Sequence, residues 1–504
     1  MEHVSRAEDA SKKHLNDSEL VITTDKPLSH DPENLRQTPI GEKGVLAETD
    51  SSTYGVVSDI QNPSRKSHHE DALDASKKKI TTTQAVIIFV TNEVGIGMLS
   101  LPAALNTLGF FPGILCIIVL GMLSLYTAYN LVQYWRKYPY MLNIVDYGRA
   151  LGGPWVEGIF AIAFLVNMAL ISASAVVTLS IGINTVSEHA ACTLVFTGIS
   201  VIVMWAMCIP HSMRFVSWAS WPCTISIVAT VFVVMIALGV QGPANPDAPL
   251  NLKAIGNPTF TEATSAFLNI AFAFAGNQAF PTVLAEMENP SRDYPRAVII
   301  EKCFSTVIYV IVACVVYALS GEQVASPALG SLQVSMAKVS YCVAFVGLLG
   351  TGLVFGMTSS RYLHIFFVRN LNLLKRGSNP SGPSKSTDGI LWIFSVTLFW
   401  VVVYLIANAI PVFSSLLNIS ASLLLSWFTW GITVLFWFDL NRNGRWKSSG
   451  KKIAVAVLNV IIMIMVVFMN GPGLYASIAA LLEVFNDPTQ KVNGPFTCAD
   501  NSIV

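Results

Sequence analysis

Long apolar runs dominate the chain from Thr81 onward and restrict it to folds that bury such runs in lipid. A helix needs roughly 20 apolar residues to cross a bilayer, and eleven runs reach or approach this length: 82–108, 111–135, 155–186, 192–209, 215–240, 262–289, 297–320, 333–368, 389–409, 412–438 and 453–482. Charged residues make up only 12% of the chain, against about 25% in soluble domains. The runs predict an all-α polytopic membrane protein and exclude a soluble enzyme.

The first 80 residues have a different composition. They carry 11 Lys and Arg against 15 Asp and Glu, lack apolar periodicity and begin without the apolar stretch of a signal peptide. We expect a disordered cytoplasmic N-terminal tail at 1–80, a transmembrane domain at 81–485 and a short extracytoplasmic C-terminal tail at 486–504. The lysines of the N-terminal tail make it a candidate for binding trafficking or ubiquitination machinery.

Basic residues are distributed unequally between the loops on the two sides of the membrane. If the N-terminal tail is cytoplasmic, the cytoplasmic loops hold 15 Lys and Arg, whereas the opposite side holds only Lys253 and Lys491. Basic residues concentrate on the cytoplasmic side of membrane proteins. This bias predicts a cytoplasmic N-terminus.

Two of the runs combine helix-breaking residues with polar ones. The first contains Asn-Glu-Val-Gly-Ile-Gly-Met-Leu-Ser-Leu-Pro at 92–102, and the sixth contains Phe-Ala-Phe-Ala-Gly-Asn-Gln-Ala-Phe-Pro at 272–281. Glycine lowers helix propensity and proline removes a backbone donor, so both helices are predicted to unwind, near Gly95 and Gly276. The breaks are five runs apart, which predicts a 5+5 inverted repeat. Alternatively, the glycines only let helices pack closely.

Unwound backbone at mid-membrane depth is tolerated where it lines a cavity, and it can bind a ligand there. N–H donors of the half-helix beginning near Met98 suit a carboxylate, and carbonyls near Phe274 and Ala275 suit an ammonium group. The two breaks together therefore suit a zwitterionic amino acid. The candidate substrate-binding residues are Gly95, Ile96, Gly97, Met98, Leu99, Asn167, Phe274, Ala275, Asn277 and Gln278.

Side chains around the breaks predict a mostly apolar pocket. Phe272, Phe274 and Phe280 of the sixth run would lie with Asn167 and Ser172 of the third. None of these side chains is charged, which favours a neutral amino acid. For each aromatic side chain, ordinary helix packing is the alternative.

The segments at 95–103 and 274–281, together with Glu-Met-Glu-Asn-Pro at 286–290, resemble the amino acid/auxin permease family, and within it the fungal neutral amino acid permeases. The resemblance covers residues 80–504. It implies a fold similar to the bacterial leucine transporter, amino acid uptake and, usually, proton coupling.

The resemblance also bears on the coupling ion. Sodium-coupled members carry an Asn four residues before the first glycine of the motif, where this chain has Thr91, and this difference favours protons over sodium. Hydroxyls on the inner half of the eighth helix bind sodium in the leucine-transporter fold, and the matching positions here are Thr358 and Ser359. Arg361 beside them is either a fixed charge in that cation site or a side chain that snorkels toward the surface.

Glu93 is the only acidic residue of the first run and is the candidate for proton coupling. Desolvation at mid-membrane depth favours an uncharged carboxyl group, so Glu93 could take up a proton during the cycle. The alternatives are that Glu93 caps freed backbone or lies in a wet vestibule. Glu286 and Glu288 are either a gate closed by Arg292 or Arg296 or part of a solvated helix end.

Two cysteines lie on the predicted outer side. Cys192 begins the fourth run and Cys498 lies in the C-terminal tail. An oxidising compartment permits a disulfide between them, and the alternative is that both remain free.

These observations predict a secondary active transporter that imports neutral amino acids across the plasma membrane by alternating access, coupled to protons. A vacuolar or other intracellular exporter, and a nutrient-sensing receptor with the same fold, are the alternatives. Residues 81–504 contain none of the short motifs of zinc-dependent, serine-nucleophile or phosphate-binding enzymes. No motif indicates a cofactor, a metal site or a nucleic-acid partner.

Overall fold

The computed structural model describes residues 80–247, 249–370, 385–442, 444–486, 495–498 and 500–501. The predicted N-terminal tail, apart from Ile80, lies outside the described residues, as does most of the predicted C-terminal tail. Across the described residues the regular secondary structure is helical, as the apolar runs predict.

Each apolar run coincides with a helix or with a helix broken into segments. These are α1a (Thr82–Glu93), α1b (Leu101–Leu108), α2 (Phe110–Lys137), α3 (Ile144–Ser187), α4 (Thr193–Cys208), α5 (Met213–Gln241), α6a (Phe260–Ala273), α6b (Phe280–Leu284), α7 (Pro290–Ser320), α8 (Val334–Asn370), α9 (Lys385–Ala409), α10 (Phe413–Leu440) and α11 (Gly450–Phe485). With α1a and α1b taken as one, nine described helices are long and apolar enough to cross a membrane. The predicted all-α polytopic fold is confirmed.

The first helix breaks where its glycines predict. α1a ends at Glu93, and Val94 (φ −80°, ψ 71°) and Gly95 (φ −133°, ψ −128°) leave the helical region. A 3₁₀ turn, Ile96–Ser100, follows. Pro102 lies in the first turn of α1b, where a missing N–H costs no helical hydrogen bond.

The sixth helix breaks in the same way. Phe274 (φ −99°, ψ 27°) ends α6a, and a 3₁₀ turn, Ala275–Gln278, follows. Pro281 then lies in the first turn of α6b. Unwinding near Gly276 is therefore confirmed, and in both helices a proline marks the point where the helix resumes.

The two broken helices run in opposite directions. At one end of the bundle, the N–H of Ile80, just before α1a, donates to the Glu286 carbonyl, just after α6b, at 2.9 Å. At the other end, the N–H of Gly256, ahead of α6a, donates to the carbonyl of Leu108, the last residue of α1b, at 2.8 Å. Opposite directions are what two inverted repeats require.

The broken pair lies at the centre of the helix bundle. α1a packs against α5, α7 and α8, and α6a packs against α1b, α10 and α11. The most apolar stretch of the first helix is 89% buried, whereas that of α2 is 33% buried. Large apolar side chains such as Trp155, Ile225 and Val240 are exposed on the outer surface, where a lipid environment accommodates them.

We name the two ends of the bundle by their residues. The basic end is where α1a begins and where Arg136, Lys137 and Arg445 lie. The disulfide end is the opposite one, where Cys192 and Cys498 are bonded. At each end, polar contacts that are described below connect neighbouring helices.

α3 is longer than its apolar run predicts. The run begins at 155, but the helix continues from Ile144 through a kink at Gly152 and Gly153, where Gly153 has a φ of 78°. The segment before the kink carries Asp146 and Arg149. These charges kept the segment out of the apolar run, although it is helical.

Candidate functional site

The last two residues of α1a hold the unwound backbone of the sixth helix. Asn92 Nδ2 donates to the Gly276 carbonyl at 3.0 Å, and the Glu93 carboxylate lies against the backbone of Gly276. A Cβ at position 276 would contact the Glu93 carboxylate and would lie 2.9 Å from Asn92 Nδ2. Glycine at 276 therefore allows the two breaks to meet directly.

Tyr309 of α7 joins the same two breaks. Its hydroxyl lies 2.6 Å from the Glu93 carbonyl oxygen and 2.9 Å from the Ala273 carbonyl oxygen, so it can donate to either. Its ring lies edge-on to Phe274, with the centroids 5.3 Å apart. The last carbonyls of a helix lack intrahelical partners, and here the ends of α1a and α6a share one donor.

Three charged side chains lie beside this junction. Lys302 of α7 forms an ion pair with Glu93, and Lys302 Nζ lies 3.7 Å from Glu301 Oε2. Ser305 Oγ donates to Glu301 Oε1 at 2.9 Å. The three charged side chains are at most 1% exposed. We call Glu93, Glu301 and Lys302 the charged cluster.

The position of Glu93 bears on two of its three predicted roles, the wet vestibule and the capping of backbone. Its burial contradicts the wet vestibule, because the surrounding helices exclude solvent from the carboxylate. Its position against Gly276 favours a contact with unwound backbone, although this backbone belongs to the sixth helix rather than to the first. The role of Glu93 in proton coupling stays a prediction.

A second polar cluster on the sixth helix has no charge. Asn167 of α3 donates to Gln278 Oε1, and Ser420 of α10 donates to Asn167 Oδ1 at 3.0 Å. Gln278 Nε2 is buried without a hydrogen-bond partner in the described part of the chain. The same holds for the Oγ of Ser172, which the sequence predicts to lie in the same pocket. We call Asn167, Gln278 and Ser420 the amide cluster.

Two other predicted site residues contact neighbouring helices. Asn277 Nδ2 donates to the Ser124 carbonyl at 3.1 Å and to Thr127 Oγ1 at 3.0 Å, so its amide is directed toward α2. The ring of Phe280 lies against Phe89, with the centroids 4.1 Å apart. These contacts favour helix packing for Phe280 and separate Asn277 from the amide cluster.

The glycines of the first break also allow close packing. A Cβ on Gly95 would contact Thr351 Oγ1 of α8, and one on Gly97 would lie 2.7 Å from the Cα of Ala273. The neighbouring side chains are buried, namely Ile96, Met98 and Leu99. Both sequence interpretations therefore hold, because the same glycines break the helix and let neighbouring helices approach it.

The hydroxyls considered for a cation site bond within the protein. Thr358 and Ser359 each donate at 2.8 Å to a carbonyl of their own helix four residues earlier. Thr91 Oγ1 lies 2.6 Å from Thr224 Oγ1 of α5. A hydroxyl that donates still has lone pairs, so cation binding at Thr358 and Ser359 stays a prediction.

The predicted gate has a different partner. Glu286 pairs with Arg361 of α8 rather than with Arg292 or Arg296. It is 33% exposed, as the alternative interpretation of a solvated helix end requires. Arg361 is 18% exposed and connects two elements at the basic end. One turn further along α8, His364 Nε2 lies 3.1 Å from Asp388 Oδ1 of α9.

Cys192 and Cys498 form a disulfide, as the sequence permits, with their Cα atoms 4.7 Å apart. The N–H of Phe496 donates to the Asn408 carbonyl at 2.9 Å, and Asn184 donates to Asn501. The described part of the C-terminal tail is thereby held on α3, α4 and α9.

Four residues of the junction and the two clusters were not identified from the sequence. Glu301 and Lys302 are adjacent charges inside the run 297–320, and charges inside an apolar run are a recognisable functional signal. Tyr309 and Ser420 gave no such signal, because hydroxyl-bearing side chains are common in membrane helices. Their roles depend on contacts between distant parts of the chain.

The sequence matches known proteins over most of its length. A sequence model described as transmembrane amino acid transporter protein matches residues 78–479. The N amino acid transport system protein of Neurospora crassa is 30% identical over 422 residues, which cover 82% of this chain and 87% of that protein. A transmembrane transporter of Gibberella moniliformis is 27% identical over 445 residues, covering 87% and 91% of the two chains.

Solved structures also include a match. The crystal structure of MhsT in complex with L-phenylalanine superposes with a TM-score of 0.49 and 11% identity, over 81% of this chain and 100% of that chain. The family match spans both broken helices, the charged cluster and the amide cluster. This chain therefore belongs to the transmembrane amino acid transporter family.

Proposed function

We propose that this chain is a secondary active importer that carries neutral amino acids, together with protons, across the plasma membrane. The observation that supports it most is the junction of the two breaks at the centre of an amino acid transporter. Unwound backbone at this depth offers N–H and C=O groups to the carboxylate and ammonium groups of an amino acid. The substrate would lie between residues 95–99 of the first helix and residues 274–278 of the sixth.

The preference for a neutral side chain rests on how the charges are arranged. Glu93 and Lys302 are paired with each other, so neither offers an uncompensated charge to a substrate side chain. The amide cluster is uncharged, and its Gln278 Nε2 is a buried donor whose partner is not found among the described residues. A neutral ligand with a polar atom would satisfy that donor.

Alternating access would require the broken helices to separate at one end of the bundle at a time. At the basic end, Ile80 bonds to Glu286, and Glu286 pairs with Arg361. At the disulfide end, Gly256 bonds to Leu108. These contacts are polar and can be replaced by contacts with water, so either set can open while the central junction remains in place.

Protons are the proposed coupling ion. Glu93 of the charged cluster lies against the unwound backbone of the sixth helix, so the uptake or release of a proton in that cluster would act directly on the proposed substrate site. Thr91, where sodium-coupled relatives carry Asn, bonds to Thr224. The alternative is that Thr358, Ser359 and Arg361 form a cation site or supply a fixed charge.

The direction of transport and the membrane are proposals from the distribution of basic residues. We propose a cytoplasmic N-terminus and uptake at the plasma membrane. A transporter that exports amino acids from a vacuole into the cytosol would have the same cytoplasmic side. A nutrient-sensing receptor would bind the amino acid without accumulating it.

Uptake by purified protein in liposomes tests this proposal. Labelled alanine, glutamine, lysine and glutamate would be added with an imposed proton gradient, with an imposed sodium gradient and with neither. We expect accumulation of alanine and glutamine only, driven by protons. Gly276→Ala should abolish it, because a Cβ there contacts both Asn92 and Glu93. Gly158→Ala is the matched control, since its Cβ would have no neighbour within 4 Å.

The outcomes separate the parts of the proposal. Transport of none of the four amino acids by the wild-type protein would refute the transporter. Accumulation of lysine or glutamate would refute only the neutral preference, and sodium-driven accumulation would refute only the proton coupling. Binding without accumulation would favour the receptor.

A further inference from the structure

The charged cluster contains two carboxyl groups but only one ammonium group. Glu93 Oε2 is paired with Lys302 Nζ, and Glu301 Oε2 lies 3.7 Å from the same Nζ. All three side chains are shielded from solvent by the surrounding helices. If every group were ionised, the cluster would carry one uncompensated negative charge, and a buried unpaired charge is strongly unfavourable.

The unpaired oxygens show where a proton is missing. The carboxyl groups of Glu93 and Glu301 both approach the single ammonium group of Lys302. Glu93 Oε1 and Glu301 Oε2 both lack a donor among the described residues. A carboxylate only accepts hydrogen bonds, whereas a protonated carboxyl group also donates one. A single proton on one of the two carboxyl groups would neutralise the cluster.

The contacts distinguish the two carboxyl groups. Glu93 has the direct ion pair with Lys302, which requires its charge, and it lies against the Gly276 backbone. Among the described residues, Glu301 accepts a hydrogen bond from Ser305 and lies farther from the ammonium group. We propose that Glu301 holds the transported proton, while Glu93 and Lys302 form the permanent ion pair beside it.

This inference rests on the proposed transport function and assigns its proton site to a residue of α7. When the site opens to water, the O–H bond of Glu301 breaks, the electron pair stays on the carboxylate, and the proton passes to a water molecule. Lys302 then lies between two carboxylates. The resulting net negative charge is tolerated only while water reaches the cluster. Closure therefore requires a bound proton, which couples proton movement to transport.

Few other titratable groups surround the proposed site. Tyr294 and Tyr309, both on α7, are the other titratable side chains that interact with Glu301 in the described part of the chain. From α6b, the ring of Phe280 lies 5.2 Å from Lys302 Nζ. From α1a, the only such group is Glu93. The tyrosines are neutral at physiological pH, so the proton count depends on the two carboxyl groups.

The test compares Glu301→Gln with wild-type protein in liposomes that contain a pH-sensitive dye. Glutamine keeps the shape and remains neutral, so it mimics the protonated side chain permanently. We expect exchange of labelled alanine within twofold of wild type, but at least a tenfold loss of gradient-driven accumulation and of alanine-induced acidification. Glu188→Gln is the matched control, because Glu188 also pairs with a lysine, Lys338, but is 73% exposed. It should behave as wild type.

Ser305→Ala provides a second variant that keeps every titratable group. Ser305 stabilises the charged form of Glu301 by its hydrogen bond, so its loss should move the midpoint of the pH profile of uptake to higher pH. If Glu301→Gln does not fold, an unchanged midpoint in Ser305→Ala overturns the proposal. Proton-driven accumulation that survives in a folded Glu301→Gln variant also overturns it.

Infrared spectroscopy separates this inference from the transport proposal. The carbonyl stretch of a protonated, buried carboxyl group should be present in wild-type protein and absent in Glu301→Gln, whether or not any amino acid is transported. A wild-type protein that transports nothing but shows this band would refute the transport proposal and retain the proton site. A band that persists unchanged in Glu301→Gln would refute the proton site alone.

Discussion

The charged cluster and the amide cluster both contact the broken sixth helix, but they differ in how their polar groups are satisfied. The charged cluster combines residues of α1a and α7 and holds two carboxyl groups beside one ammonium group. The amide cluster combines residues of α3, α6 and α10, has no charge, and leaves Gln278 Nε2 without a partner among the described residues.

This difference suggests a division of tasks between the two sides of the junction. A group that changes charge must be shielded and compensated, because an uncompensated buried charge would prevent closure. A group that recognises a neutral ligand instead needs an open hydrogen-bonding position. We therefore expect substitutions in the charged cluster to alter proton coupling and stability, and substitutions in the amide cluster to alter substrate affinity.

Removal of Lys302 should have the largest effect. Lys302→Met leaves the Glu93 carboxylate buried without its partner, and breaking such a buried pair costs about 3–5 kcal/mol. We expect a lower yield of monodisperse protein and a lower melting temperature in detergent. The double variant Lys302→Met with Glu93→Gln removes both charges and should recover most of the loss.

Lys338→Met is the control for this prediction. Lys338 pairs with Glu188 at the surface, where such pairs contribute about 0–1 kcal/mol. A Lys302→Met variant as stable as Lys338→Met would contradict the compensation that distinguishes the charged cluster. So would a double variant less stable than the single one.

Loss of Asn167 should change substrate affinity. Asn167→Ala removes the group that orients both Gln278 and Ser420, and leaving buried polar groups unpaired costs about 1–3 kcal/mol. We expect the KM for glutamine to rise by roughly tenfold to a hundredfold, with the number of protons per substrate unchanged. Initial uptake rates and dye acidification measure the two quantities.

Asn470→Ala is the matched amide control. Asn470 of α11 bonds to Ser422, Ser426 and Trp427, which belong to α10 and not to a broken helix. It should lower stability without changing KM. An equal change of KM in both variants would show that the amide cluster acts only through the fold.

Tyr309→Phe should affect both sides of the junction by a smaller amount. It removes the hydroxyl shared by the carbonyls of Glu93 and Ala273, a loss of about 1 kcal/mol. We expect substrate affinity and proton-driven accumulation to fall by a similar factor of roughly five. Equilibrium binding and accumulation, measured on the same preparation, test this. A change in only one of them would show that Tyr309 serves one cluster rather than the junction.

The fold could be predicted from the sequence because its signals are local. Apolar runs of membrane length located the helices, and the combination of Gly95, Pro102, Gly276 and Pro281 located the two breaks. The N-terminal part of α3 was missed because its charged residues interrupt the apolar pattern.

The site could be predicted only in part because its contacts are not local. Glu93 was identified from its position beside a break, but its partner Lys302 is 209 residues away, and no periodicity connects the two. For Glu286 the sequence left both a gate with a nearby arginine and a solvated helix end open, and its partner is Arg361 on another helix. The polar residues beside the breaks could be recognised in the sequence. The separation of charged residues into one cluster and uncharged amides into another could be seen only in the folded structure.

Loss of the ion pair between Arg361 and Glu286 should have the smallest effect on stability. This pair is accessible to solvent, whereas the charged cluster is buried. Its side chains are 18% and 33% exposed, so water and salt reach them, and we expect Arg361→Gln to cost about 0–1 kcal/mol. Raising the ionic strength should reduce the difference in stability between Arg361→Gln and wild type, because salt screens accessible charges. The difference caused by Lys302→Met should persist, since solvent ions do not reach that cluster. Melting temperatures at low and high salt test both statements, and a salt-dependent effect of Lys302→Met would contradict the burial on which the proposed proton site depends.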